Sequence, residues 1–406
     1  MYYAELVVMM GEEKIRNRNN DVVPIVYAIW FFMENLTDTT YKTIFGININ
    51  SLDNYVSYLV LILLVIYIFA FQKYSRIEIC MIAIITILVG TSTVMSGKNF
   101  FISLLLFIVA SKNLNFDRII KISLQIGILM LSFTVISCWL GLIPDYTMYR
   151  GNILRHAWGY GHVNVLGMRV FNIVACIVYL YYEKRRNLTL FSIAMACVFI
   201  YLIPNSLTPF ILSCSLLVLL FVYRIIEDNI RYQIYIQNLF IIVSILFNIF
   251  SVLLCVGDVL QSKLFSLMNS IVSSRFVLSH MAYLDYGISL FGQRVYISSE
   301  ERQTVGLSGF YFLDNTYMIL LVRFGAILYL IFSFVYIWTM VKSKKKNQFF
   351  ITAILFIYSF YGVMEPAMYR FSHNTMLLLF GNVLYGNFQI GKEYKSKIKF
   401  IYGGNN

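Results

Sequence analysis

The chain has 406 residues, of which 59% are hydrophobic, 17% aromatic and only 13% charged. A soluble domain is nearer a quarter charged, so this balance excludes an ordinary soluble protein and predicts an all-α, polytopic membrane protein. The net charge of +12 then reads as topology rather than nucleic-acid binding, because cytoplasmic loops of membrane proteins collect Lys and Arg.

Residues 1–20 are polar, with Lys14, Arg16 and Arg18, which suits a cytoplasmic N-terminus better than a cleavable signal peptide. A spanning helix needs roughly 20 mostly apolar residues. On that measure the predicted spans are 22–44, 55–71, 77–95, 99–111, 119–141, 163–182, 188–204, 208–224, 233–256, 314–341, 348–364 and 374–390. The expected count is therefore about twelve, or eleven to twelve, since 22–44 is polar from Glu34 to Thr40 and 99–111 is short. All belong to one domain, 1–406. The apolar pattern stops from Gly257 to Asn315, which predicts a large extracytoplasmic loop, 257–313, between the ninth and tenth spans. Within it, Leu260, Leu264, Leu267, Met268 and Ile271 follow helical spacing, and Phe276, Met281 and Leu284 partly continue it. An amphipathic helix over 259–286 would lie along the membrane face above a site, or simply pack on the bundle.

Charge tests the topology. With an even number of spans and both termini cytoplasmic, the inner segments hold 21 of the 32 basic residues, and every inner loop has at least two. The other eleven are Lys42, Lys98, Arg150, Arg155, Arg169, Lys263, Arg275, Arg294, Arg302, Arg323 and Arg370. The positive-inside rule disfavours them. Arginine dominates the set, and its planar fork of donors suits phosphate. An outer face rich in Arg suggests an anionic ligand such as a lipid-linked pyrophosphate. The plainer reading pairs these arginines with lipid phosphates or with Asp145, Asp285, Glu300 and Glu301.

Several chemistries have no sequence support. There is no GxxxxGK[ST] loop, no Cys/His set with metal spacing, no DxD element and no GxSxG elbow. The six cysteines fall in or at the ends of apolar runs and form no CxxC pair, so they read as small buried hydrophobes. Mid-span carboxylates, expected of a proton-coupled transporter, are nearly absent.

Three segments together resemble the Wzy-type polysaccharide polymerases of bacterial capsule, exopolysaccharide and O-antigen pathways, within the O-antigen ligase and polymerase superfamily. Arg155-His-Ala-Trp-Gly-Tyr-Gly-His-Val-Asn-Val-Leu-Gly167 is similar to that family's R-x-x-x-G-x-x-H-x-N-x-x-G entry to a central helix. Ser274-Arg275, followed by Tyr286-Gly-Ile-Ser-Leu-Phe-Gly-Gln293, is similar to its outer-loop element. Asp314-Asn315, nine residues and Gly325 match a spacing that in the related ligases begins with His instead of Asp. The likeness covers about 145–390.

The resemblance implies a multi-pass protein of the bacterial cytoplasmic membrane that polymerises oligosaccharide repeat units carried on undecaprenyl pyrophosphate. Transfer would need no metal and no cofactor, and membrane lipids surround the site. It also implies a chain-length regulator and a flippase of the same pathway as neighbours, and no nucleic acid. Arg155 and Arg275 match the family's pyrophosphate ligands, with Arg150 as the nearest substitute and Arg323 as a further candidate. Arg323 sits nine residues into its expected span, where an Arg is costly and must face a polar cavity; Glu365 is a candidate partner. Asp314 stands where the ligases place their His and is the candidate general base, or else the cap of the helix after it. His162, Asn164 and Asn315 are candidate sugar ligands; His162 and Asn164 would alternatively orient Arg155. Glu365, Arg370, His373 and Asn374 form a last outer polar cluster, a candidate for an acceptor-side or a structural role. The alternatives are a ligase moving the glycan to another acceptor, a lipid-linked oligosaccharide flippase or other transporter, and a peptidoglycan polymerase of similar architecture whose signature residues are not found.

Overall fold

The computed structural model describes residues 21–44, 46–257, 263–271, 274–306 and 312–385. Expectations that fall on 1–20, 258–262 and 386–406, including both chain ends, lie outside the described residues. Helix α1 (Val22–Thr37) leads into a short antiparallel ribbon, β1 (Thr43–Ile44) with β2 (Ile47–Asn48). Then follow α2 (Ile49–Phe71), α3 (Arg76–Ser96), α4 (Phe100–Ala110) and α5 (Phe116–Trp139). A hairpin of β3 (Thr147–Arg150) and β4 (Ile153–His156) precedes α6 (Val163–Tyr181), α7 (Arg186–Leu202), α8 (Leu207–Ile226) and α9 (Ile230–Val256). Short helices α10 (Lys263–Ile271), α11 (Arg275–Tyr286) and α12 (Ser299–Gln303) occupy the polar break. The chain re-enters at α13, an α-turn (Thr316–Met318) that continues as π-helix (Ile319–Phe324), followed by α14 (Ala326–Lys345) and α15 (Phe349–Met364). It ends in 3-10 turns, Pro366–Met368 and Thr375–Phe380, and α16 (Gly381–Tyr385).

Among the described residues, seven helices, α2, α3, α5, α6, α8, α9 and α14, are long and apolar enough to cross a membrane. The sequence-based count exceeds this because it includes shorter apolar helices, among them α1, α4, α7 and α15. Helix α4 illustrates the difference. Its 11 residues reach only about 16 Å at 1.5 Å per residue, roughly half a hydrocarbon core, and Phe101, Leu104, Phe107 and Ile108 are buried inside the bundle. Likewise the expected span 22–44 is helical only to Thr37.

The long helices are inside out relative to a soluble fold. On α9 the polar Gln233, Gln237, Ser244 and Ser251 are buried, whereas Leu239, Ile242, Ile249, Phe250 and Leu253 are exposed. On α3, Ser92 and Ser96 are buried while Ile87 and Val94 face outward. Apolar surface of this extent requires lipid as its solvent. The buried polar groups tie helices together, as expected where packing has no hydrophobic drive. Ser244 Oγ meets Ser359 Oγ at 2.8 Å, Thr352 Oγ1 donates to Gln237 Oε1 at 3.1 Å, and Tyr27 Oη meets Ser123 Oγ at 2.8 Å. Helix α15 and the turns after it are buried nearly throughout and form the centre of the bundle.

The expected continuous span 314–341 is broken at Gly325 (φ +95°). Backbone groups freed inside a bilayer must find partners, and each here does. Val322 O accepts from Gln293 Nε2 at 3.1 Å, Arg323 O from Gln293 N at 2.9 Å, and Phe324 O from Ser92 Oγ at 2.7 Å. The first amides of α14 donate back, Ala326 N to Ser289 O at 2.9 Å and Ile327 N to Leu290 O at 3.1 Å. The two chains cross so closely that a Cβ at Gly325 would stand 2.3 Å from Gly292 N, and one at Gly292 would stand 2.9 Å from Arg323 O. Two glycines of separate sequence motifs thus meet at one backbone crossing.

The loop helix expected over 259–286 is also two pieces. Ser274 is left-handed (φ +64°) and separates α10 from α11. The break resets the helical phase, so α11 packs on the bundle through Phe276, Ser279, His280 and Ala282 while Met281 and Leu284 are exposed. His280 Nδ1 lies 2.7 Å from Cys255 O at the end of α9.

Candidate functional site

Five segments far apart in sequence converge at one end of the bundle: the β3–β4 hairpin, the start of α6, the start of α11, the residues before α13 and the end of α15. In the hairpin, Met148 pairs with Arg155 and Arg150 with Ile153. Cross-strand partners share a face and side chains alternate, so Arg150 and Arg155 lie on the same face. Gly151 (φ +58°) makes the turn. The hairpin rests on the turn between α7 and α8, where Arg150 Nη1 donates to Asn205 O at 3.0 Å and Arg155 Nε donates to Pro204 O at 2.8 Å. Asp145 holds the loop after the hairpin, accepting from Ala157 N and Trp158 N and lying 2.6 Å from His156 Nδ1. It pairs with a histidine rather than with any of the outer arginines.

Asn164 is the connector. Its Oδ1 accepts from Arg155 Nη2 and from Ser206 Oγ, both at 2.9 Å, and its Nδ2 donates to Glu365 Oε1 at 3.0 Å. With its amide engaged at both ends, Asn164 orients Arg155. The same Glu365 oxygen accepts from Arg275 Nη2 at 2.6 Å, and Arg275 Nε lies 3.4 Å from Asp314 Oδ2. A single chain of contacts therefore runs Arg155, Asn164, Glu365, Arg275, Asp314. The side chain of Glu365 is 5% exposed and that of Asp314 is 29% exposed, so Asp314 is the carboxylate that a substrate can reach.

Charge in this group is unbalanced. Among the described residues, Arg150 and Arg155 have no carboxylate at ion-pair distance and bond instead to carbonyls and an amide. Burial, and then the neighbouring Arg150, push the Arg155 guanidinium down to about 10, which still leaves it protonated at neutral pH. Burial raises both carboxyls, Asp314 and Glu365, against the opposing pull of Arg275. His162 caps α6, its Nδ1 accepting from Asn164 N at 3.1 Å. Burial, and then Arg155 and Arg275, lower its pKa. The ring is neutral at pH 7 and carries its proton on Nε2.

Other candidates fall elsewhere. Asn315, not Asp314, caps α13: its Oδ1 accepts from Met318 N at 3.1 Å and its Nδ2 donates to Ser251 Oγ. Asn315 is fully buried, so it has no free end for a sugar. Arg323 pairs with Glu301 at 3.1 Å rather than with Glu365, because the break at Gly325 ends its helix beside the outer loop. It lines a polar cavity as its depth required, but apart from the Arg155–Arg275 chain. Arg302 pairs with Asp285, Lys98 with Glu301, and Arg169 with Asp38. Sequence reasoning offered Glu365 as a partner for Arg323, whereas it receives both Asn164 and Arg275. Its one signal was a carboxylate ending an apolar run just before Pro366.

Gly167 explains another motif position. A Cβ there would lie 2.9 Å from Pro209, so glycine lets α6 approach α8 and bring Asn164 to Ser206. Comparison with protein-family models, with curated proteins and with solved structures returns no match for this chain.

Proposed function

We propose that this chain is a glycosyltransferase that polymerises undecaprenyl-pyrophosphate-linked oligosaccharide repeat units at the outer face of a bacterial cytoplasmic membrane, crossing it about twelve times with both termini inside. The observation that carries this reading is the convergence of Arg150, Arg155 and Arg275 at one end of an apolar bundle, with two carboxylates, Asp314 and Glu365, among them in the described residues. A cationic cluster at the end of membrane helices suits the phosphates of a lipid-linked donor.

The chemistry follows from the positions. A hydroxyl of the acceptor sugar attacks the anomeric carbon of the donor. Asp314 takes the hydroxyl proton, a task for which a carboxyl raised by burial is better suited than an ordinary one. The bond from the anomeric carbon to the phosphate oxygen breaks, its electron pair leaves with undecaprenyl pyrophosphate, and the arginines meet the growing charge. Asn164 and Glu365 hold Arg155 and Arg275 in register for that charge. His162 offers Nε2–H to a sugar hydroxyl or phosphate oxygen.

A deletion strain tests the proposal. Single lipid-linked repeat units collecting on the outer face are the expected result. Units trapped on the cytoplasmic face would replace the polymerase with a flippase, and full-length chains left unattached would replace it with a ligase.

A further inference from the structure

A second polar region lies beside the arginine chain. It is a cavity of about 220 Å³ lined by Glu34, Asp38, Lys98, Glu301, Arg323, Arg370 and His373, with Phe100, Phe324 and Tyr369. A single water needs roughly 10–15 Å³ of such space, so a sugar ring fits. The lining differs in kind from the arginine group. Lys98 and Arg323 share one carboxylate, Glu301, at 2.9 and 3.1 Å. Asp38 is held by Arg169 at 2.7 Å, with His373 Nε2 3.2 Å away. Arg323 and His373 are each more than nine-tenths buried; Arg323 Nε has no hydrogen-bond partner among the described residues, and His373 Nε2 faces Asp38. Glu34, Asp38 and Glu301 stand on the same walls as Lys98, Arg323 and Arg370, so the lining is of mixed sign, unlike the arginine group. Donors and acceptors in near balance, against aromatic walls, suit a neutral polyhydroxy ligand that hydrogen-bonds at its edge and presents C–H groups to rings. Phe100 and Tyr369 meet edge to face at 5.3 Å and Phe324 joins Tyr369 at 6.0 Å, giving that wall a fixed shape.

Arg370 links this cavity to the catalytic group. It lies within electrostatic reach of Asp314 and Glu365 on one side and of Asp38 and Glu34 on the other. Among the described residues no carboxylate stands at ion-pair distance from it. We infer that the Glu34–Asp38–Arg370 cavity is the acceptor subsite, which holds the terminal sugar ring of the incoming repeat unit with its nucleophilic hydroxyl toward Asp314. The inference rests on the polymerase reading and adds to it where the second substrate sits. The donor's phosphates lie with Arg150, Arg155 and Arg275, and the acceptor's sugar lies across Arg370 from them.

The test uses the full chain in lipid nanodiscs. Native lipid-linked repeat units are supplied at saturation as donor, and a fluorescent short-tailed analogue of the same unit as acceptor. Glu34→Ala is expected to raise the KM for the tagged acceptor by about 10–100-fold, the loss for one hydrogen bond to a charged group. The kcat and the donor KM should stay within about twofold of the parent protein, and Glu34→Gln, which keeps an accepting oxygen, should recover part of the loss. Arg370→Ala should raise the acceptor KM as well, independently of any folding defect at Glu34. An acceptor KM unchanged in both variants, or a donor KM that rises equally, overturns the subsite. If the parent protein forms no product under these conditions, the polymerase reading itself falls and the subsite with it.

Discussion

Replacing Arg275 with Ala should abolish transfer, and two effects contribute. Arg275 donates to Glu365 at 2.6 Å and stands 3.4 Å from Asp314. As a cation facing the leaving pyrophosphate, its loss should lower kcat by about 10²–10³, the usual effect of removing one donor to a developing charge. Its loss also leaves Glu365, 5% exposed, without a charged partner there while Asn164 still donates to it. Breaking a buried pair from one side costs about 3–5 kcal/mol. Both carboxyls are already raised by burial, with Arg275 opposing the rise. Without the guanidinium they rise further, so the ionised base is lost at a higher pH as pH falls. The assay is repeat-unit transfer in nanodiscs, with protein level and melting midpoint measured in parallel. A double variant separates the two contributions. Arg275→Ala with Glu365→Gln removes the orphaned charge, so stability should return toward that of the parent while transfer stays lost. Transfer by Arg275→Ala within tenfold of the parent, at normal protein level, would refute the assignment of Arg275 to the phosphate.

Asp314→Asn should remove transfer without loss of fold, and in the parent protein the acid limb of the pH–rate profile should lie above about 3.9, the ordinary Asp value, because burial raises this carboxyl; a rate independent of pH from 4 to 8 would exclude Asp314 as the base. Asn164→Ala should lower kcat by about tenfold through loss of Arg155 orientation, and a rise in KM alone would instead make Asn164 a sugar ligand. Arg323→Ala should lower the melting midpoint by the equivalent of about 1–3 kcal/mol through its lost bond to Glu301, with donor KM unchanged. Gly325→Ala should yield little folded protein, since its Cβ would stand 2.3 Å from Gly292 N at φ +95°, which fluorescence-detected size-exclusion of the detergent extract would report.

Much of the helical layout was legible because a bilayer writes it as apolar runs, and segments such as 163–182 and 233–256 lie within a few residues of α6 and α9. The break at Gly325 was not legible. Arg323 and the glycine itself are the local signs of it, and the groups that satisfy its carbonyls come from Ser92 and Gln293, far off in sequence. The arginine census included Arg150, Arg155 and Arg275, which gather at one end of the bundle, but partners decide what each arginine does. Arg169 meets Asp38 across 131 positions and Arg275 meets Glu365 across 90, and no local pattern encodes such pairings. The sequence left Asp314 open as base or helix cap. Backbone geometry chose Asn315, which accepts from Met318 N, and so left the Asp314 carboxylate facing Arg275.

The crossing of Gly292 and Gly325 has a consequence for genetic screens. Loss-of-function substitutions at these glycines are expected alongside those at Arg275 and Asp314, for a different reason. The glycines set the spacing of two backbones. Second-site suppressors should tell the classes apart. Small residues or shortened side chains near the crossing can restore a variant at Gly325, whereas no repacking replaces a missing guanidinium.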